Sequence, residues 1–393
     1  MKLSDGYRTQ VGEKLPRILQ PGKLGLLKCF VDKSVKDLLL KPQSIFDQQE
    51  HLQSAIEWLK LAHDLSPNDG VSWGYSLKGS WRDSYRETSG YIADTFFDIA
   101  KYNQDEDAFR RAIAISKWLV GVQNEDGSIS NPRYTKGGIV FDTGQVLQGL
   151  IRAYEETQDK QFLDGAIAAG DWLVKVADDA GKWTKNTHYG IPHVYNTRVA
   201  WPLLKLNSIS PHPERERVAR ANLDWAISQQ KNGWFEQNAF RSGEAPFTHN
   251  IAYAIRGLLE AGYLLNEDKY INAAISGAIA LIPHVESDGF IPGQFDANGK
   301  PENSYCCLTG NCQLAIIWLK LFGQTKEEKY YQSANLALRY VMSCQDIKTE
   351  DFNIRGGIKG SQPIWGNYTR LSYPNWATKF FIDGLILLAR TKP

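Results

Sequence analysis

The sequence predicts an all-α chain folded as an (α/α)6 toroid, a closed ring of six helical hairpins, and three observations carry that expectation. Amphipathic segments recur along the chain in two alternating kinds. The connection leaving one kind is short and the connection leaving the other is long. At 393 residues the chain also exceeds the roughly 250–300 residues that one ordinary core serves, so two domains or a single repeat-built domain is expected.

The first kind of segment is a helix followed by a glycine turn. IFDQQEHLQSAIEWLKLAHDLSPNDG, EDAFRRAIAISKWLVGVQNEDG, KQFLDGAIAAGDWLVKVADDAG and PERERVARANLDWAISQQKNG each carry a Trp, DKYINAAISGAIALIPHVESDG follows the same plan, and EKYYQSANLALRYVMSCQD is a degenerate copy. The second kind is more apolar: ETSGYIADTFFDIAKY, DTGQVLQGLIRAYEET, YNTRVAWPLLKL, HNIAYAIRGLLEAGYLL, TGNCQLAIIWLKLF and NWATKFFIDGLILLAR. Both have helical spacing and helix-favouring composition. Charge on one face marks the first kind as outer helices, and apolar character most of the way round marks the second as enclosed inner helices. The pairs repeat at about 50 to 65 residues, a spacing in the range of helical repeats. Inner helices are expected to begin near Glu87, Asp142, Asn196, His249, Thr309 and Asn375. The toroid domain is read as residues 46–393, with residues 1–45 as an N-terminal helical extension.

Composition narrows the function. Lys and Arg number 45 against 44 Asp and Glu, a net charge of +1, which offers neither a basic footprint for nucleic acid nor a polybasic membrane segment. No run of about 18 apolar residues exists to span a membrane. MKLSDGYRTQVGEKLPRIL has no apolar core, so no signal peptide is expected. The five cysteines, Cys29, Cys306, Cys307, Cys312 and Cys344, form no CxxC pair and no even framework, which predicts free thiols and a cytoplasmic setting. A monomer or weak homodimer is expected.

Inner-to-outer connections such as NQDED, TQDK and NEDK are short. The outer-to-inner ones run to about 15 to 30 residues, a length usually reserved for function. All six open on the rim where the inner helices begin, so helix dipoles and free N–H groups face that mouth. The rim loops hold Trp73, Tyr75, Trp81, Tyr85, Trp183, Trp234, Trp365, Tyr368, Tyr373 and Trp376. Rings of this kind stack on sugar faces, and about half are expected to be plugs between helices. Paired carboxylates are what glycosidic chemistry requires. Glu87 in SYRETSGY and Asp142 in VFDTGQ stand at inner-helix N-termini, with Asp83 one turn earlier and Glu236, Glu244 and Asp296 as further rim acids. Either of the first two would also serve simply as a first-turn acid. NTHYGIPHVYNTRVAW gathers His188, Tyr189, His193, Asn196 and Arg198, and PFTHN adds His249 and Asn250 at the next inner helix. A histidine titrates where cytoplasmic acid–base work needs it.

The endings QNEDGSIS, QQKNGWF and ESDGF, followed by TGxxLxGL-type helices, resemble the repeat of the α/α-toroid superfamily. That group holds six-hairpin glycosidases, toroid polysaccharide lyases, sugar epimerases, squalene and hopene cyclases and prenyltransferase β-subunits. The chain also looks like toroid proteins of bacterial exopolysaccharide gene clusters, a resemblance that implies polysaccharide synthesis. Cyclases of this repeat use DxDD or DDxxD, which DDAG and NQDED do not match. The prenyltransferase resemblance implies zinc held by Asp, Cys and His; ENSYCCLTGNCQLA with His249 offers thiolates and an imidazole, but not the Asp-x-Cys spacing. The lyase resemblance implies a Tyr or His base beside Asn and Arg. NTHYGIPHVYNTR resembles the Asn-x-His part of such sites and departs from the NNH-x-x-W form.

The expected activity is therefore that of a carbohydrate-active enzyme, a glycoside hydrolase, uronate lyase or epimerase, needing no metal or cofactor. A glycan-binding assembly protein and an isoprenoid enzyme are the other classes. Glu87, Asp142, His188, Tyr189, His193 and His249 are the expected catalytic groups. Trp73, Tyr75, Trp81, Asn196, Arg198, Trp234, Asn250, Trp365, Tyr373, Asn375 and Trp376 are the expected sugar-binding groups.

Overall fold

The structure, a computed structural model, describes residues 47–133, 135 and 137–391. The N-terminal extension expected over residues 1–45 lies outside the described residues. Twelve α-helices follow in the described chain: α1 (Gln48–Asp64), α2 (Arg86–Asn103), α3 (Glu106–Gly121), α4 (Val140–Thr157), α5 (Lys160–Val176), α6 (Thr197–Ile209), α7 (Pro213–Ser228), α8 (Thr248–Leu265), α9 (Asp268–Leu281), α10 (Leu308–Thr325), α11 (Glu328–Cys344) and α12 (Asn375–Arg390). The even-numbered helices are the inner ring. Their starts lie within two residues of the expected positions. Each packs on the next, and α12 closes the circle against α2 and α1. The fold is the (α/α)6 toroid. Among the described residues no helix is long and apolar enough to cross a membrane.

Short turns join inner to outer helices by one device. Gln104, Gln158, Asn266 and Lys326 end their helices in the left-handed conformation, at φ 55°, 56°, 52° and 58°, the usual way to stop a helix. An acid follows each time, and Asp105 and Asp159 cap the next helix through Ala108 N and Gln161 N. Glycine turns after the outer helices set the spacing of the outer ring. A Cβ on Gly127 would stand 2.2 Å from Ala168 O of α5, and one on Gly356 would stand 2.0 Å from Ser54 O of α1. The second contact seats the last turn on the first helix.

The long rim loops add what helical periodicity did not reveal, three small antiparallel sheets. β1 (Gly74–Ser76) lies between β2 (Ser80–Trp81) and β8 (Ser372–Pro374). Tyr75 pairs with Trp81 on one side and Tyr373 on the other, so the first and last rim loops are joined. β3 (Gln230–Lys231) pairs β4 (Trp234–Phe235), and β6 (Pro301–Cys307) lies between β5 (Pro292–Phe295) and β7 (Ser361–Gln362).

Inner helices touch through small residues. A Cβ on Gly149 of α4 would meet Gly90 O of α2 at 2.2 Å, and one on Gly90 would meet Gln145 O at 2.5 Å. Gly149→Ala should therefore cost about 1–3 kcal/mol through overpacking. Gly323, near the end of α10, has nothing within 4 Å of where a Cβ would stand. As Ala it should gain about 0.5–1 kcal/mol. Urea unfolding midpoints of the two variants against the parent measure the contrast, and equal midpoints would contradict the close inner-ring contact.

Candidate active site

A cavity of about 160 Å³ opens where the inner helices begin. Glu87 projects into it from the first turn of α2, beside Asp142 in the first turn of α4. His188 reaches in from the 3-10 turn His188–Gly190. One donor atom from each of these three side chains lies within 4.8 Å of the other two. Tyr85 Oη donates to Glu87 Oε2 at 2.6 Å. Asp142 is fully buried. His188 Nε2 stands 3.5 Å from Asp142 Oδ1, an ion-pair contact, and neither Asp142 oxygen has a hydrogen-bond partner among the described residues.

Burial, then the Asp142 charge, pushes the Glu87 carboxyl up to about 8, against the opposing pull of His188 and Tyr85. Burial works against a charge on His188, but Asp142 and then Glu87 outweigh it and hold the imidazole above its ordinary value. Glu87 is therefore a carboxylic acid at neutral pH, standing beside the Asp142–His188 contact. This trio is also the one cluster among the described residues with donors close enough for a metal ion. A cation bound there would compete with the proton on Glu87.

The rest of the lining is mostly aromatic. Tyr85, Tyr91, Phe141, Tyr195, Phe240, Tyr253, Tyr368 and Trp376 surround the polar groups, with His249, Asn250 and Thr369. Phe141 and Tyr195 meet edge to face at 5.3 Å, and Trp376 Nε1 donates to Tyr368 Oη at 2.8 Å. Gln313 Oε1 accepts from His249 Nδ1 at 2.9 Å. Burial pushes His249 down to about 3, so its ring is neutral. Asn250 Nδ2, Tyr195 Oη and Thr369 Oγ1 are buried without a partner, and their residues line the same cavity. Such groups are costly unless a ligand or water completes them.

Of the residues expected from sequence, Glu87, His188, His249, Asn250 and Trp376 line the cavity, and Asp142 stands just behind the lining, 3.5 Å from His188. Others lie behind the wall. Trp73 packs edge-on against Trp376 at 4.9 Å. Asn375 Nδ2 ties α12 to Ser72 O and Thr88 Oγ1. Arg198 is buried, donating to Gln145 and Gln148 at 3.3 and 3.2 Å with its guanidinium over the Tyr253 ring. Asn196 is buried at the end of the turn leading into α6.

A third group packs elsewhere. Trp81 Nε1 donates to Asn353 Oδ1 and its ring stacks near Tyr75; Tyr373 is buried in the same sheet. Trp234 stacks on Phe295, and the Trp365 carbonyl accepts from Arg370 Nε. The His193 ring nitrogens face backbone oxygens of Ala239 and His188 at 3.0 and 2.7 Å. Tyr189 is exposed and is not part of the lining. Cys306, Cys307, Cys312 and Cys344 are buried free thiols, with Cys307 pushed up to about 12 by burial.

Sequence reasoning passed over Tyr91, Phe141, Phe240, Tyr253 and Thr369, and gave Tyr195, within NTHYGIPHVYNTRVAW, no role. A signal existed for two of them. Tyr91 and Tyr253 each follow a named residue, Glu87 and His249, by four positions on an inner helix, and i and i+4 share a face.

No family model and no curated protein sequence matches the chain. Solved structures do share its ring. An unsaturated glucuronyl hydrolase specific for heparin superposes with a TM-score of 0.70 at 16% identity, over 87% of this chain and 97% of that one. The unsaturated glucuronyl hydrolase of Bacillus sp. GL1, responsible for degradation of glycosaminoglycan, gives 0.69 at 17% over 87% and 97%. A variant of the Streptococcus agalactiae enzyme complexed with dGlcA-GalNAc6S gives 0.66 at 12% over 88% and 96%. These neighbours are six-hairpin toroids, and the likeness is one of fold: the chain carries the α/α-toroid architecture of the six-hairpin glycosidases.

Proposed function

We propose that this chain is a glycan hydrolase that removes a terminal unsaturated uronyl residue from an oligosaccharide, with Glu87 as the proton donor. One observation carries the reading: a protonated carboxyl lines a ring-walled cavity, with a second carboxyl within 4.8 Å of it and a histidine beside both. At about 160 Å³ the cavity is smaller than the roughly 300–1,000 Å³ usual for drug-sized ligands. One sugar residue suits it, and an isoprenoid chain does not.

The electrostatics favour hydrolysis over elimination. An eliminating enzyme needs a base for the proton beside the uronate carboxyl. Tyr195 and Tyr368 are raised well above the usual phenol value by burial, and His249 is pushed too low to hold a proton. Inverting hydrolysis places a water between carboxylates roughly 6.5–9.5 Å apart, more than this pair allows. An unsaturated uronide has a simpler need. Its C4=C5 bond is an enol ether, so a proton delivered to C4 leaves a cation shared by C5 and the ring oxygen. Water adds at C5 and surrenders its proton to a carboxylate. The resulting hemiketal opens, and the glycosidic bond at C1 then releases the remaining sugar as an alcohol. One acid and one neighbouring base suffice, which are the parts Glu87 and Asp142 supply. Asn250, Tyr195 and Thr369 offer donors to the sugar's oxygens. The fold shared with enzymes of this activity supports the same reading.

The test is incubation with unsaturated uronyl disaccharides made by lyase digestion of hyaluronan or chondroitin, alongside saturated counterparts. Ultraviolet absorbance of the conjugated double bond should disappear as a free sugar is released. Reducing ends from saturated substrates with the unsaturated ones untouched would overturn the assignment. Glu87→Gln and Asp142→Asn should each lower kcat/KM about 10²–10⁴-fold. His188→Ala, which removes the partner of Asp142 and leaves the proton donor in place, should lose about tenfold, one pKa unit's worth.

The Glu87 proton also makes two pH predictions. Activity should fall as pH rises through about 8, where the donor ionises. In the unfolded chain the same group titrates near 4.5, so between these values folding must hold a proton that unfolding releases. Its contribution to stability is present below pH 4.5 and is lost as pH rises towards 8. Glu87→Gln should therefore gain stability relative to the parent on going from about pH 5 to about pH 9. Thermal midpoints at the two pH values check this, and a constant difference would mean Glu87 is ionised in the fold.

A further inference from the structure

Tyr189 is an anomaly among the rim residues. It follows directly on His188, yet its ring is 61% exposed, the most of any large apolar side chain among the described residues. Its backbone is left-handed, at φ 59° and ψ 11°, a conformation that bulky residues rarely adopt and that tends to be kept where it serves a site. The turn is tied down on every side. Asn186 Nδ2 donates to Gly138 O at 3.2 Å, Thr187 Oγ1 donates to Ile191 O at 2.8 Å, and His188 O faces His193 Nε2 at 2.7 Å. These anchors fix the ring in space although it contributes little to the core. Its one packing partner of note is Arg241, whose guanidinium lies 4.6 Å above the ring and whose Nη2 donates to Tyr189 Oη at 3.2 Å. Glu244 holds the same guanidinium at 3.3 Å. The result is a flat aromatic plate, backed by a cation, and both of its members directly follow a residue of the cavity lining, Tyr189 after His188 and Arg241 after Phe240.

We infer that Tyr189 and Arg241 form a platform for the second sugar of the substrate, the residue on the leaving side of the cleaved bond. The inference rests on the hydrolase reading and extends it outward from the cavity. A pyranose presents an apolar face to an aromatic ring and hydroxyls at its edge. Tyr189 supplies the face, and Arg241 supplies donors at the edge, which also suit an acidic substituent. The cavity holds the residue to be removed, so the next residue along the chain must lie at its mouth. The rigid turn carries His188 and the plate together, so a sugar settled on Tyr189 positions its neighbour against Glu87 and Asp142.

The experiment compares two substrates, an unsaturated uronyl disaccharide and the methyl glycoside of the same unsaturated uronic acid, which lacks a second sugar. Tyr189→Gly removes the ring while accepting the left-handed backbone, so it should fold. It should raise KM for the disaccharide about five- to tenfold, the value of one aromatic contact, with kcat little changed. The methyl glycoside should lose much less, so the preference for the disaccharide collapses. Tyr189→Phe should keep that preference, and Arg241→Ala should reduce it. An unchanged preference in Tyr189→Gly, or an equal loss on both substrates, would overturn the platform. If the parent protein turns over neither substrate, the hydrolase reading fails, and calorimetric binding of the disaccharide then judges the platform alone. Weaker binding by Tyr189→Gly supports it; equal affinity, or no binding to the parent, overturns it.

Discussion

The close crossing of α2 and α4 is the contact on which the site depends. Gly90 and Gly149 let the two backbones touch, with no room for a Cβ on either side. Glu87 stands three residues before Gly90 on α2, and Asp142 stands three before Gln145, whose carbonyl Gly90 meets. The crossing therefore fixes how far apart two carboxyls are before any side chain is chosen. A larger residue at either glycine would spread the helices and separate the acids. Burial, then this closeness to Asp142, holds the proton on Glu87.

The two ends of the inner helices are built on opposite principles. Towards their C-terminal halves the ring interior is charged and satisfied. Arg152 binds Asp94 at 2.7 Å, Asp98 at 3.0 Å and Glu156 at 2.8 Å. Lys320 reaches Glu260 at 2.9 Å. At the N-terminal mouth, Asp142 is fully buried with only a distant histidine, and Asn250, Tyr195 and Thr369 point unpaired groups at the cavity. Buried polar groups without partners destabilise a fold. Here they are concentrated at one end of a ring whose other end is laced with ion pairs, as expected where a site is kept ready at the expense of stability.

The ring was legible in the sequence because its two helix classes differ in how much surface each must hide. An inner helix such as α10, buried along nearly its whole length, cannot carry charge on any face until its last turns, and so reads as continuously apolar. The candidate site was legible in part. Glu87 and Asp142 stand at helix starts, where position along the sequence fixes position on the rim. The rim aromatics were not separable in this way. Tyr75, Trp81 and Tyr373 share one small sheet, a long-range pairing of the first and last loops that local periodicity cannot express. Tyr91 and Tyr253 were hidden for the opposite reason, since a tyrosine on an apolar helix looks like core until its neighbour four residues back is known to line a cavity.

The two histidines of the rim loop before α6 show how little sequence separation says about role. His188 lies against the Asp142 carboxyl, and against burial Asp142 and Glu87 hold it above its ordinary value. His193, five residues on, meets only backbone oxygens, and burial pushes it down to about 4. A neutral imidazole donates one hydrogen, so at neutral pH His193 satisfies either the Ala239 or the His188 carbonyl. Its ring stacks on Tyr195 at 4.5 Å, and Tyr195 in turn meets Phe240 and Phe141. One uncharged ring thus braces the backbone of His188 and the aromatic wall opposite. The chemistry assigned to His188 therefore depends on a histidine that never reaches the cavity, which is why residue type and spacing alone could not rank the pair.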